Sequence, residues 1–120
     1  MGGARVNYAE RAIERIRNSQ EHLSLNKLVT ELGLEGNQDA SLRRALRTAA
    51  EQGKVVMVGL AADGSRAWIA APTQGSKLER EAICAAHGAD LLLTRRLGVR
   101  ALDIERAAKG ILASIREGIV

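Results

Sequence analysis

ASLRRALRTAAEQGKVVMVG, residues 40–59, runs from a helix-forming stretch through one glycine into a strand-forming one, and its reading decides the fold. With Leu42 set at zero on a wheel of about 100° per residue, Ala45, Leu46, Ala49 and Ala50 fall between about 300° and 80°. Arg43, Arg44 and Arg47 fall near about 100°, 200° and 140°, on the border of that apolar stripe or facing away from it. Gly53 closes the helix, and KVVMVGL (54–60) reads as a strand. ADGS (62–65) carries the Asp63-Gly64 hairpin signal, and RAWIAA (66–71) is the return strand, stopped at Pro72.

Working toward the start, LGLEGNQD (32–39) is punctuated as a helix end followed by a turn. Gly33 suits the position after a helix C-terminus, and Asp39 or Ser41 can start the arginine-bearing helix. Before that, Ser24 is a good N-cap for a helix in which Leu25, Leu28, Val29 and Leu32 share a face. EHLSL (21–25) allows a token strand only. Asn7, with Glu10 three residues later, opens the first helix in a variant capping box. Tyr8, Ala9, Ala12, Ile13 and Ile16 form its buried stripe, and it fades around Asn18–Gln20.

Toward the end, TQGS (73–76) is a short linker and Ser76-x-x-Glu79 a capping box. Leu78, Ala82, Ile83 and Ala86 give the next helix its inner side until Gly88, expected to break it. Asp90 is then expected to begin another short helix over LLLTRRL (91–97), ended by Gly98. Asp103 caps the last helix, with Ile104, Ala108, Ile111, Leu112 and Ile115 on one side. The predicted fold class is mainly α with a small β-hairpin: a domain over 1–72 and a C-terminal helical region over 73–120.

Composition narrows the function classes. The 120 residues are 46% hydrophobic, with no Phe, one Trp and one Tyr. Small aliphatic residues suit close-packed helices, and Tyr8 and Trp68 alone cannot supply the aromatic platform on which single strands stack. Net charge is +4 and the pI about 9.8, which leans toward polyanionic partners. The excess is spread: ten Lys/Arg against eight Asp/Glu in residues 1–72, eight against six in 73–120. The single cysteine, Cys84, rules out an internal disulfide and fits a reducing cytoplasm. MGGARVNYAE (1–10) has no apolar segment of the signal-peptide kind, and Val6 stands where myristoylation wants Ser or Thr. With no apolar run near the ~20 residues that span a bilayer, no membrane is expected and a cytoplasmic location is.

Catalytic signals are lacking. Cys84-x-x-His87 offers two metal ligands where structural zinc needs four, and His22 is the only other histidine. There is no Walker A sequence, no GxGxxG and no evident Ser, His and acid grouping. Neither an enzyme, a metal nor a cofactor is indicated. Glu31, Glu35 and Asp39 read as solvated turn and cap chemistry.

Residues 7–72 therefore run helix, short extended piece, helix, turn, helix, hairpin, an order that resembles the winged helix-turn-helix superfamily. LNKLVTELGL (25–34) is similar to the family's positioning helix and turn, through Leu28, Leu32, Gly33 and Leu34. LRRALRTAAEQGKVV (42–56) is similar to its recognition helix and first wing strand, through Leu42, Leu46, Ala49 and Gly53. The turn from Gly33 to Leu42 is about three residues longer than the common pattern, and Ala49 stands where Leu is usual. The resemblance implies that the helix over 40–52 enters the major groove of double-stranded DNA. Ser41, Arg43, Arg44 and Arg47 would meet base edges and phosphates there. It also implies that the hairpin is a wing, with Ser65 and Arg66 near its tip reaching backbone or minor groove, although Asp63 there is adverse.

LTRRLGVRALDIERA (93–107) resembles, more weakly, the core helix-turn-helix pattern, with Thr94 departing from the usual small Ala. That match implies a second DNA-binding surface of Arg100, Arg106 and Lys109. The alternative is an ordinary corner at Gly98 and Val99 in a helical pair. Ile104, Ala108, Ile111 and Ile115, spaced four, three and four apart, also suit the seam of a homodimer, which would match a palindromic operator.

The expected function is sequence-specific DNA binding, as a small transcriptional repressor or a plasmid, phage or mobile-element regulator. Two alternatives stand beside it. One is a protein–protein adaptor whose arginines pair with acidic residues; the other is an architectural or partition factor with little base readout.

Overall fold

The computed structural model of the 120-residue chain describes residues 7–98 and 103–118. Five helices and three short strands follow one another in the order α1 (Tyr8–Arg17), β1 (Leu23–Ser24), α2 (Leu25–Leu32), α3 (Gln38–Glu51), β2 (Val55–Leu60), β3 (Arg66–Ala70), α4 (Lys77–Leu97) and α5 (Ile104–Arg116). The fold is mainly helical, with one antiparallel sheet of strand order β1-β3-β2. Leu23 pairs with Trp68 and Ser24 with Ala67.

Local chemistry sets most element ends. The Asn7 side chain accepts from the backbone N–H of Ala9 and Glu10, and Ser24 accepts from Lys27. Ser76 accepts from Glu79, and Asp103 from Arg106. Each satisfies a donor that the first helical turn would otherwise leave without a partner. Gly33 ends α2 in the left-handed region at φ 64°, where a side chain would be strained. α3 begins two to four residues earlier than its candidate caps, Asp39 and Ser41, suggest. Its N-cap position is Asn37, which makes no side-chain cap bond. Gln38 instead reaches back, its Oε1 accepting from the Glu35 N–H at 2.8 Å.

The chain divides into two compact units, Met1–Met57 with Ala67–Ala71, and Val58–Arg66 with Pro72–Val120. In the first, Ala12 and Ile16 of α1, Leu25 and Leu28 of α2, and Leu42, Leu46 and Ala49 of α3 close one core with Leu23, Val55 and Trp68. Tyr8 packs on its edge. Burying aliphatic side chains of this size is worth roughly 1.5–3 kcal/mol each, which offsets the ordering of such short elements. Arg15 ties α1 to α2, its Nε 3.1 Å and Nη2 3.4 Å from the two carboxylate oxygens of Glu31. Glu31 is thus an interhelical partner and not merely turn chemistry.

In the second unit, α4 and α5 form a helical pair. Ala82, Ala86 and Ala108 sit at its centre, with Ile83, Ile104, Ala107, Ile111 and Leu112 packed around them. Small residues at the seam let the two helices approach closely.

Here the structure corrects two sequence expectations. α4 is one helix of 21 residues that continues through Gly88. Asp90, expected as a cap, is wholly buried inside it. Gly88 serves a close approach: a Cβ there would sit 2.9 Å from the carbonyl oxygen of Val58. Gly59 makes the reciprocal accommodation, since its Cβ would lie 3.1 Å from Leu91 Cδ1. The helix therefore passes close to Val58 and Gly59 of β2, residues of the same unit.

Candidate nucleic-acid interface

The candidate site is built on α3. Its underside is fixed by Leu42, Leu46 and Ala49, each no more than 1% exposed. Helical spacing then turns Arg43, Arg44 and Arg47 outward, and all three are exposed. Ser41, two residues before Arg43, is half-buried, its backbone N–H bonded to the Asn37 carbonyl. Arg44 Nη2 donates to Ser41 Oγ at 3.4 Å, a long contact that lightly orients one guanidinium.

Charge on this face is uncompensated. Arg15–Glu31 and Lys109–Glu105 are ion pairs elsewhere in the described residues, and neither includes an α3 arginine. Asp39, the acid on the first turn of α3, accepts instead from the Ala40 N–H at 2.8 Å. A guanidinium left in this state keeps its forked donors available for a bidentate acceptor, whether a guanine edge, a phosphate or a carboxylate.

Ser65 and Arg66, at the hairpin end that spans Val58–Arg66, belong to the second unit. Gly64 takes the left-handed conformation at φ 87°, as the turn requires. Asp63 Oδ1 accepts from both the N–H and the hydroxyl of Ser65, at 2.9 and 2.7 Å. The Ser65 hydroxyl is therefore engaged and half-buried. Arg66 is exposed at the start of β3 and is the freer of the two.

Of the second candidate surface, Arg106 and Lys109 lie exposed on α5, with Lys109 Nζ 3.4 Å from Glu105 Oε1. Arg100 lies outside the described residues. Ile104, Ala108 and Ile111, read as a dimer seam, are engaged within the α4–α5 pair. Thr94 donates its hydroxyl to the Asp90 carbonyl one turn back, so a polar side chain is accommodated inside α4.

Other chemistry is sparse. Trp68 is 5% exposed in the core and Tyr8 packs against it, so neither ring is presented as a stacking surface. Burial, and after it the neighbouring Glu81 carboxylate, push the Cys84 thiol above its ordinary range, away from nucleophilic use at neutral pH. Among the described residues no three His, Cys, Asp or Glu side chains gather as a metal site, and no helix is long and apolar enough to cross a membrane. A groove of about 390 Å³ in the first unit is lined by Glu10, Glu14, Arg17 and Lys54, whose charges oppose one another.

Sequence reading missed two buried polar residues, His87 and Asp90, on the inner side of α4. The helical phase they share with Ala82 and Ala86 was the available signal, masked by treating Gly88 as a helix end. Comparison with family models, with curated proteins and with solved structures finds no match to this chain.

Proposed function

We propose that this chain is a sequence-specific double-stranded DNA-binding protein of the winged helix-turn-helix kind, acting as a small regulator that lays α3 in the major groove. One observation carries the reading. Three exposed arginines share the outer side of a helix whose inner side is fully committed to the core, and none is neutralised by a neighbouring carboxylate. The element order from α1 to β3, with β1 added to the hairpin through β3, supports it as well. In this reading Arg43, Arg44 and Arg47 contact guanine edges and phosphates, Ser41 sits at the groove entrance, and Arg66 follows the backbone. Ser65 is a weaker contributor, because its hydroxyl is held by Asp63.

The function is binding and not catalysis, in the reducing cytoplasm that one free cysteine allows. Two copies would occupy a palindromic site. Since Ile104, Ala108 and Ile111 are already engaged, the seam between copies would draw on Leu97, 61% exposed, and on Ile115.

The test is selection of bound duplexes from a random pool, followed by affinity for the selected and a scrambled site. A regulator enriches one motif and keeps a large affinity ratio, typically about 10³ or more. Enrichment of no motif with DNA still bound would identify an architectural binder, and no DNA binding an adaptor.

A further inference from the structure

The outer residues of α3 do not share one direction. The buried Leu42, Leu46 and Ala49 fix its inner pole, so on a wheel with Leu42 at zero the outermost line falls near about 190°. Ala40, Glu51, Arg44 and Asn37 lie closest to that line, at about 160°, 180°, 200° and 220°. Arg47 and Thr48 flank it by about 50° on either side, and Arg43 stands about 90° away. Asn37 turns with the helix, since its backbone sits at φ −84° and ψ 3° and its carbonyl accepts from the Ser41 N–H.

Engagement of these side chains differs as well. Asn7, Ser24, Ser76 and Asp103 precede their helices at ψ of 105° to 166° and use their side chains as caps. Asn37 is exposed and makes no side-chain cap bond, although asparagine is a favoured capping type. Arg44 gives one long contact to Ser41, which leaves the rest of its fork facing outward. Between the two, Ala40 is half-buried and carries only a methyl group, so nothing bulky stands on the line that joins them. Glu51 ends that line with an exposed carboxylate, which phosphates would repel. The N-terminal half of α3 is therefore the part suited to the floor of a groove.

We infer, resting on the reading of α3 as the groove-bound helix, that Asn37 and Arg44 are its base-reading pair, Asn37 at an adenine and Arg44 at a guanine. Arg43, well off the outer line, meets phosphate on one groove wall. The Asn37 amide donates to adenine N7 and accepts from N6, and the guanidinium fork donates to guanine O6 and N7. Seven residues of helix rise about 10.5 Å, and a helix inclined in the groove puts its two readers about two to three base pairs apart. The half-site therefore holds an A·T pair and a G·C pair at that separation.

The test is selection from a random duplex pool by the full-length wild type and by Asn37→Ala, Asn37→Asp, Arg44→Ala and Arg43→Ala. The wild-type motif should show an adenine column and a guanine column about two to three base pairs apart. Asn37→Ala should flatten the adenine column alone, and Arg44→Ala the guanine column alone. Each should lower affinity for the wild-type site about 5- to 150-fold. Asn37→Asp, an acceptor only, should move the adenine column toward cytosine, a response that a purely structural role would not give. Arg43→Ala should weaken all sequences alike and reduce the slope against log salt by about 1. Asn37→Ala removes no cap bond, so this variant should stay folded. If both Asn37 variants keep the wild-type motif while Arg44→Ala flattens a column, the base-reading pair is wrong and α3 remains the groove helix. A motif unmoved by all four variants, or no duplex bound by the wild type, would instead bring down the reading of α3 and this pair with it.

Discussion

Alanine at Gly88 and alanine at Gly110 are the same change in two helices of the same unit, and the structure gives them opposite signs. Replacing a mid-helix glycine by alanine ordinarily stabilises by about 0.8–1.0 kcal/mol, because the unfolded chain loses freedom it would otherwise keep. At Gly110 nothing lies within 4 Å of the added Cβ, so the full gain is expected. At Gly88 the Cβ would arrive 2.9 Å from the Val58 carbonyl oxygen, a backbone atom that moves only if the strand moves. Forcing an extra methyl into such a contact costs about 1–3 kcal/mol, so the net effect is a loss of about 1 kcal/mol. The two variants should differ by about 2 kcal/mol. Urea titration followed by circular dichroism measures this directly, with midpoints moving apart at unchanged slope. Both glycines lie in the second unit, so they report on the same body. A Gly88→Ala protein as stabilised as Gly110→Ala would refute the close approach of α4 and β2.

The remaining expectations concern single side chains. Glu31→Ala removes the two-pronged contact with Arg15; with side chains 43% and 34% exposed, solvent screening holds the loss to about 0.5–1 kcal/mol by urea titration, shrinking in high salt. Cys84 should alkylate with iodoacetamide more slowly than a free thiol at neutral pH and approach it only above the ordinary thiol range. Because the folded thiol holds its proton more tightly than the unfolded one, stability should be constant below the ordinary thiol pKa. It should decline as pH rises from there through the folded value, as thermal melts across alkaline pH would record.

How far these features were legible in the sequence follows from whether their causes are local. Asn7, Ser24, Ser76 and Asp103 all cap helices as their neighbours suggest, because a cap needs only a short polar side chain and the next turn. The outward face of α3 was equally legible, since Leu42, Leu46 and Ala49 fix its phase. Gly88 was not. Glycine in a helix is a weak spot when only its neighbours count, and the carbonyl of Val58 that explains it lies thirty residues away in sequence. Asp90 failed for the same reason: a carboxylate near a glycine reads as a cap, whereas its burial is decided by packing between elements. The Arg15–Glu31 contact spans sixteen residues and joins two helices whose relative placement no local pattern contains. The early start of α3 was not legible from capping chemistry, since Asn37 at its N-cap position makes no side-chain cap bond.

The central claim is that the arginines of α3 meet a duplex. It is tested most directly by the affinity of Arg44→Ala with Arg47→Ala for its selected DNA site across a salt series. Arg17→Ala with Arg116→Ala, also exposed arginines, serves as a charge-matched control. At about 1–3 kcal/mol for each arginine that reads a base, the α3 variant should lose at least about 30-fold in affinity. Its slope against log salt should fall by about 2 where the lost contacts are to phosphate, while the control stays near wild type. Equal, small losses in both variants, with both still folded, would contradict the account.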